Sequence, residues 1–262
     1  MTGGEPTLRP DLAEVVSVLK HGALVDRVAL TTNGHRLDGI LCARLASAGL
    51  DAINISVDSL RKETFHRICG VDRRDAVLRA VDRCLELGFR KVKINSVLLK
   101  GLNDGEFMDF VEFVRNRPVA VRFIELMRTG DNKDYFDRHH MPVASLVERL
   151  GELGWSRLPG TSTGGPAKEY QNPDFAGQIG FISPYEKDFC RSCNRLRVSS
   201  LGGLRLCLFG QGDLSLRDLL QSGEMKPLLI KRITEALRIK PDGHGLHRRV
   251  YGDMHTLSAI GG

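Results

Sequence analysis

Val77–Leu99 reads VLRAVDRCLELGFRKVKINSVLL. Its first half places Val77, Val81, Cys84 and Leu85 on one face of a helix. Gly88 interrupts that pattern. From Lys91 to Leu99 the residues become β-rich. A helix, a glycine turn and a strand in that order form part of a βα repeat. Lys93 lies inside the strand between Val92 and Ile94, where a Lys needs an anionic partner or an open mouth.

The alternation continues on both sides. Helical spacing recurs at Leu12/Val15/Val16/Leu19 and at Phe107/Phe110/Val111/Val114. Further β-rich runs are Arg27–Thr31, Ala52–Val57 and Val119–Met127. The expected class is α/β with a parallel sheet over 1–129. Such sheets bind ligands at the carboxyl ends of their strands. This makes Thr31, Thr32, Asn33, Ser56, Lys93, Asn95, Arg122 and Glu125 one candidate site. Asp58 and Asn103 read as caps of the following helices.

Beyond residue 129 the expectation is a polar loop, then a helix opened by Pro142 with Val143/Leu146/Val147/Leu150 on one face. Thr161–Pro166 is a small-residue loop. Ile179–Ser183 and Leu196–Phe209 read as strands, the second turning at Gly202-Gly203. Asp213–Gln221 and Glu224–Arg238 read as helices.

The 262 residues are 42% hydrophobic and 27% charged, which excludes disorder and fibrous repeats. No apolar run exceeds four residues, so neither a membrane helix nor a signal peptide is expected, and the location expected is cytoplasmic. The net charge of +6 is scattered. It suits an anionic small molecule better than nucleic acid.

Three of the six cysteines cluster as Cys190, Cys193 and Cys207, spaced C-x2-C-x13-C. Three cysteines can hold a four-iron cluster with one iron open to a ligand. Zinc with His139, His140 or His244 as fourth ligand is an alternative, as is a metal-free core. Arg195 and Arg197, two apart on a strand, share a face and could clamp a polyphosphate, or simply face solvent.

Thr2-Gly3-Gly4-Glu5-Pro6 with Leu8-Arg9-Pro10 resembles the T-G-G-E-P motif of radical S-adenosylmethionine (SAM) enzymes. With Thr31-Thr32-Asn33-Gly34, Ile53–Asp58, Val92–Asn95, Arg122–Met127, the three cysteines, Asn194–Arg197 and Gly261-Gly262, the chain resembles the GTP 3′,8-cyclases of molybdenum cofactor biosynthesis from end to end. The resemblance implies a lyase: a SAM-derived radical abstracts the ribose 3′ hydrogen of GTP, and that carbon attacks guanine C8. The product is (8S)-3′,8-cyclo-7,8-dihydroguanosine 5′-triphosphate.

The resemblance also implies roles. Gly4, Ser56 and Met127 would contact SAM. Thr31, Lys93, Arg195, Leu196 and Arg197 would bind GTP. Cys190, Cys193 and Cys207 would hold an auxiliary [4Fe–4S] cluster. Arg122, Gly261 and Gly262 would serve catalysis. Implied partners are GTP, a reductant for the clusters and, functionally, cyclic pyranopterin monophosphate synthase. No nucleic acid or membrane is implied, and a homodimer stays open.

The family's first cluster motif, C-x3-C-x2-C, precedes T-G-G-E-P and is absent from these residues. Cys42, Cys69 and Cys84 are too dispersed to replace it and read as structural. The expectation is therefore an incomplete radical-SAM (β/α) partial barrel over 1–129, lacking its first strand, first helix and cluster loop. A C-terminal extension over 130–262 would carry the second cluster and the Gly-Gly tail. The chain is expected to be short by about 60 to 80 residues, to have an unpaired sheet edge, and to be unable to cleave SAM alone. Alternatives are another radical SAM enzyme with an auxiliary cluster, or a non-catalytic zinc- or GTP-binding fragment.

Overall fold

The computed structural model describes residues 1–160, 165–191, 193–248 and 250–252. They fall into two compact units. One comprises residues 1–126 and 137–183, the other residues 127–136 and those from 184 on.

The first unit is built on a seven-stranded sheet. Its strands are β1 (Ala29–Thr32), β2 (Ala52–Ser56), β3 (Lys91–Leu98), β4 (Val119–Glu125), β5 (Ser156–Arg157), β6 (Lys168–Gln171) and β7 (Gln178–Ile182), in the order β1-β2-β3-β4-β7-β6-β5. Strands β1 to β4 and β7 pair in parallel; β6 and β5 add antiparallel. The four expected N-terminal strands all form, with ends shifted by a residue or two. The sheet is mixed rather than parallel throughout, because β5 and β6 arise from residues with no β-periodicity. It draws strands from both sides of residue 129.

Helices α1 (Leu12–Ser17), α2 (Gly39–Ser47), α3 (Lys62–Cys69), α4 (Arg74–Glu86) and α5 (Phe107–Phe113) alternate with the first four strands. In α4 the buried residues are Val77, Ala80, Val81 and Cys84, the face the spacing predicts. Helix α2 escaped the periodicity reading. Asp38 caps it by accepting from the Leu41 N–H at 2.7 Å. Gly70, at φ +72°, ends α3 in a left-handed turn.

Alternate residues of β3 show how this sheet is used. Val92, Ile94, Ser96 and Leu98 are buried, while Lys91, Lys93, Asn95 and Val97 are more open. The buried side carries the core, in which Phe107, Phe110, Phe123 and Phe181 pack within 5.3 to 6.3 Å of one another. The other side is polar.

A helix α6 (Lys133–His139) replaces the expected polar loop, and α7 (Ala144–Glu152) follows Pro142 as expected. In the second unit β8 (Arg197–Val198), β9 (Gly203–Arg205) and β10 (Leu214–Ser215) form an antiparallel sheet beside α8 (Lys226–Arg238). The turn expected at Gly202-Gly203 is present, with Gly202 at φ +75°. The helix expected at Asp213–Gln221 is not: β10 pairs with β9, and only a 3-10 turn, Arg217–Leu219, follows. Strand pairing overrides local helical spacing there. The core of this unit is small: Leu204, Leu216 and Ala236. No helix among the described residues is long and apolar enough to cross a membrane.

Candidate functional site

The polar side of the seven-stranded sheet gathers Thr31, Ser56, Lys93, Asn95 and Arg122 of the residues singled out above, whereas Thr32 pairs with Ile55 and Glu125 with Leu98 in the register of the buried side. Thr31 pairs with Asn54, Asn54 with Lys93, and Lys93 with Ala120. One step further along, Ser56 pairs with Asn95, Asn95 with Arg122, Arg122 with Gly180, and Gly180 with Glu169. Cross-strand partners share a face and i, i+2 neighbours stay on it. Thr31, Ser56, Lys93 and Arg122 therefore form two adjacent rows on one surface.

The chemistry of this surface is cationic with bare acceptors. Arg122 is buried and donates to Glu169 Oε1 through Nε (3.2 Å) and Nη2 (2.5 Å). Lys93 makes no hydrogen bond or ion pair among the described residues. Burial, then the charges of Arg122, Lys91 and Arg27, push its ammonium down to about 8, against the pull of Glu169. Asn54 Nδ2 donates to Thr31 Oγ1 at 3.0 Å, but Asn54 Oδ1 is buried without a partner, as is Asn95 Oδ1. Such acceptors call for a ligand N–H or O–H.

Glu5 fixes one end of this surface. Its carboxylate accepts from Thr7 N and Oγ1, Thr32 Oγ1 and Asn33 N, at 2.6 to 3.0 Å. Burial would raise its pKa, but these four bonds hold it below the usual carboxylate value. Gly3 and Gly4 just before it have φ of +103° and +51°. A Cβ on Gly4 meets nothing within 4 Å, so backbone conformation rather than crowding favours glycine here.

Asp58 and Asn103 prove to be braces, not helix caps. Asn103 Nδ2 donates to Asp58 O (2.6 Å) and Val97 O (2.8 Å), while its Oδ1 accepts from Leu99 N. Asp58 Oδ1 accepts from Val97 N at 2.7 Å, and burial pushes its carboxyl up to about 6. Glu106, buried, accepts from Ser59 Oγ and from the Leu60 and Arg61 N–H groups. Glu5 lies in the T-G-G-E-P motif without a role read for it, and Glu106 and Glu169 had no spacing signal. Only the demand of Lys93 for a nearby anion pointed toward Glu169.

The second unit holds the cysteine segment. Cys190, Cys193 and Cys207 are half-buried free thiols. His244 N donates to Cys190 Sγ at 3.4 Å, and the His244 ring packs against Phe189 and Phe209. Burial raises the Cys190 thiol, and the nearby Cys207 and Cys193 charges add to that. For Cys193 burial acts the same way, but the Arg195 backbone N–H and the Arg195 and Lys240 charges outweigh it and favour thiolate. Among the described residues no three His, Cys, Asp or Glu stand at metal-holding distance. The donor set itself, three thiols with N–H and cationic neighbours, suits a cluster of thiolate-ligated iron.

Only Arg197 lies in β8; Arg195 precedes it in an irregular segment, so the shared strand face expected of the pair is not formed. Their charges still oppose each other, and burial with that repulsion lowers the Arg197 pKa. Arg195 stacks over Phe189 at 5.6 Å. Leu196 is exposed. Met127 is half-buried, its carbonyl accepting from Asn132 at 2.9 Å. Gly261 and Gly262 lie outside the described residues.

Two of the histidines named for the zinc alternative have other partners. His140 Nε2 pairs with Glu125 at 2.8 Å and His139 Nδ1 with Lys100 O at 2.9 Å, both in the first unit. Cys42 and Cys84 touch across 3.9 Å in the core, while Cys69 is exposed on α3. These three do not fit as a ligand set.

Residues 1–114 match the Radical SAM superfamily model and residues 119–246 the Molybdenum Cofactor Synthesis C model. A GTP 3′,8-cyclase from Haemophilus influenzae (strain 86-028NP) is 47% identical over 262 residues, covering 100% of this chain and 77% of that protein. Those from Edwardsiella ictaluri and Stenotrophomonas maltophilia (strain R551-3) are 47% and 46% identical over 100% of this chain and 79% and 80% of theirs. Among solved structures, Streptococcus suis SuiB bound to S-adenosylmethionine matches with a TM-score of 0.62 at 15% identity, over 90% of this chain and 55% of that one. That likeness is one of fold alone; the Radical SAM assignment rests on the family model over residues 1–114.

Proposed function

From the premise that this chain belongs to the GTP 3′,8-cyclase family, we propose that it acts in molybdenum cofactor biosynthesis as a lyase cyclising GTP, and that the residues gathered above divide that task. SAM and an iron–sulfur cluster are its cofactors. The observation that carries the division of roles is the register: Thr31, Ser56, Lys93 and Arg122, from four consecutive strands, emerge on one polar surface.

Ser56 and Met127 contact SAM, and the positive-φ backbone at Gly4 receives its amino group. Thr31, its Oγ1 already accepting from Asn54, has its O–H left to donate to GTP. Lys93 supplies a cation that forms no ion pair among the described residues, which suits a triphosphate. Arg195 and Arg197 bind phosphate oxygens, with Leu196 between them, and the anion relieves their mutual repulsion. Arg122, held by Glu169, orients the substrate. Gly261 and Gly262 are assigned to the same chemistry by family likeness alone.

Cys190, Cys193 and Cys207 are the residues that would hold a four-iron cluster, which when bound would supply an open iron for the guanine. The incomplete barrel and the cluster-bearing extension, 1–129 and 130–262, are part of this reading. So are an outside reductant and the use of the product by cyclic pyranopterin monophosphate synthase. Six free thiols support a reducing, cytoplasmic setting.

The test is titration of the chain with GTP alongside the Arg195→Ala/Arg197→Ala variant. The double variant should bind GTP about a hundredfold more weakly, as expected for two charge-assisted contacts. Unchanged affinity would remove these arginines from the site. Metal analysis after anaerobic reconstitution should find iron and sulfide; one zinc instead would favour a zinc-binding module.

A further inference from the structure

Glu169 enters the division above only as the group that holds Arg122, and it stands at the end of the row that carries Arg122. Arg122 on β4 and Glu169 on β6 do not pair directly; β7 runs between them, and both are in register with Gly180. A Cβ at Gly180 would lie 3.4 Å from Arg122 Cγ and 3.5 Å from Glu169 Cγ. The two side chains close over the position where β7 has none. Glu169 also meets Lys91 Nζ at 3.4 Å through its other oxygen. It is therefore the carboxylate of a surface otherwise carrying Lys91, Lys93 and Arg122.

We propose that Glu169 is a positioning residue for the nucleotide: it fixes the Arg122 guanidinium across Gly180 and sustains the charge on Lys93. The proposal rests on the reading that Lys93 and Arg122 face GTP. The charged groups around Lys93 are Lys91 on its own strand, Arg122 on β4, Glu169 on β6 and Arg27 ahead of β1. Three are cations and one is an anion. The Lys93 ammonium, already pushed down to about 8, would lose its one opposing charge if Glu169 were neutral. A triphosphate needs Lys93 protonated, so affinity for it falls as pH rises through the Lys93 pKa. Neutralising Glu169 moves that fall to lower pH.

The experiment is GTP titration of the full 262-residue chain between pH 6.5 and 9.5, as Glu169→Gln, Glu169→Asp and Lys93→Ala beside the unaltered chain, with circular dichroism to check folding. Glu169→Gln should weaken GTP binding about tenfold at pH 8 and shift the pH midpoint of binding downward. Glu169→Asp keeps the charge but draws it back from Arg122, so affinity should drop with the midpoint unmoved. A Glu169→Gln variant that binds more weakly with an unmoved midpoint has a merely structural defect, and overturns the proposal. So does wild-type affinity in Glu169→Gln while Lys93→Ala binds poorly. If Lys93→Ala itself binds GTP normally, the reading of the surface as a GTP site fails and takes the proposal with it. Should Glu169→Gln not fold, Glu169→Asp decides: unchanged affinity overturns the proposal.

Discussion

Asp58 shows how a single residue can hold stability in reserve. Its carboxyl is raised from the usual value near 4 to about 6, because burial costs the charged form more than one N–H bond returns. For an acid whose folded pKa lies above its unfolded one, the folded state is penalised as soon as pH rises past the unfolded value. The penalty grows between about pH 4 and 6 and is complete above. Asn at this position keeps an oxygen for the Val97 N–H and carries no charge. Asp58→Asn should therefore stabilise the fold at pH 7.5 by about 1 to 2 kcal/mol, read as a higher Tm. That gain should shrink as pH falls through 6 and vanish near 4. A pH series of thermal melts checks both the sign and the window. The neighbouring Asn103 and Glu106 brace the same loops with neutral or fully satisfied bonds.

At the scale of elements, β4 bears on both faces of the sheet. Its odd residues, Val119, Val121 and Phe123, are buried with α5, while Arg122 serves the polar side. Phe123 touches Phe107, Phe110 and Phe181, so it links α5, β4 and β7. Phe123→Ala should cost about 3 to 5 kcal/mol in urea unfolding, the range for an emptied aromatic site in a packed core. The alternation that makes β4 two-sided was legible: Val119 to Met127 read as a strand, and Arg122 as a residue of its ligand end. Strands β5 and β6 were not legible. They are short and polar, and are stabilised by pairing, β6 to β7 and β5 to β6, rather than by any pattern of their own. The helix expected at Asp213–Gln221 failed for the same reason, since Leu214 and Ser215 pair with β9.

At the scale of the whole molecule, the two units differ in how they are held. The first has an extensive core running through most of its strands and helices; the second has, among the described residues, three buried apolar residues in its cluster. A small core leaves a domain dependent on other ties, and a bound metal cluster is one. If Cys193 ligates iron, Cys193→Ala should lower bound iron and lower the thermal transition of the second unit. The transition that Phe123→Ala lowers should stay in place. Calorimetry of the reconstituted chain with both variants separates the two. A Cys193→Ala chain with full iron content would remove this cysteine from the ligand set.

By itself, the sequence determined the family, the alternation of helices and parallel strands, and the candidate residues Thr31, Ser56, Lys93 and Arg122. These are written in local periodicity and in short motifs, which the chain carries wherever it folds. Only the tertiary structure decided what surrounds them. It took register to set Glu169 beside Arg122 across an empty Gly180, to leave Asn54 and Asn95 with bare oxygens, and to turn Asp58 and Asn103 into braces. Those relations join residues dozens of positions apart. Their energy comes from desolvation and pairing that exist only once the strands are side by side.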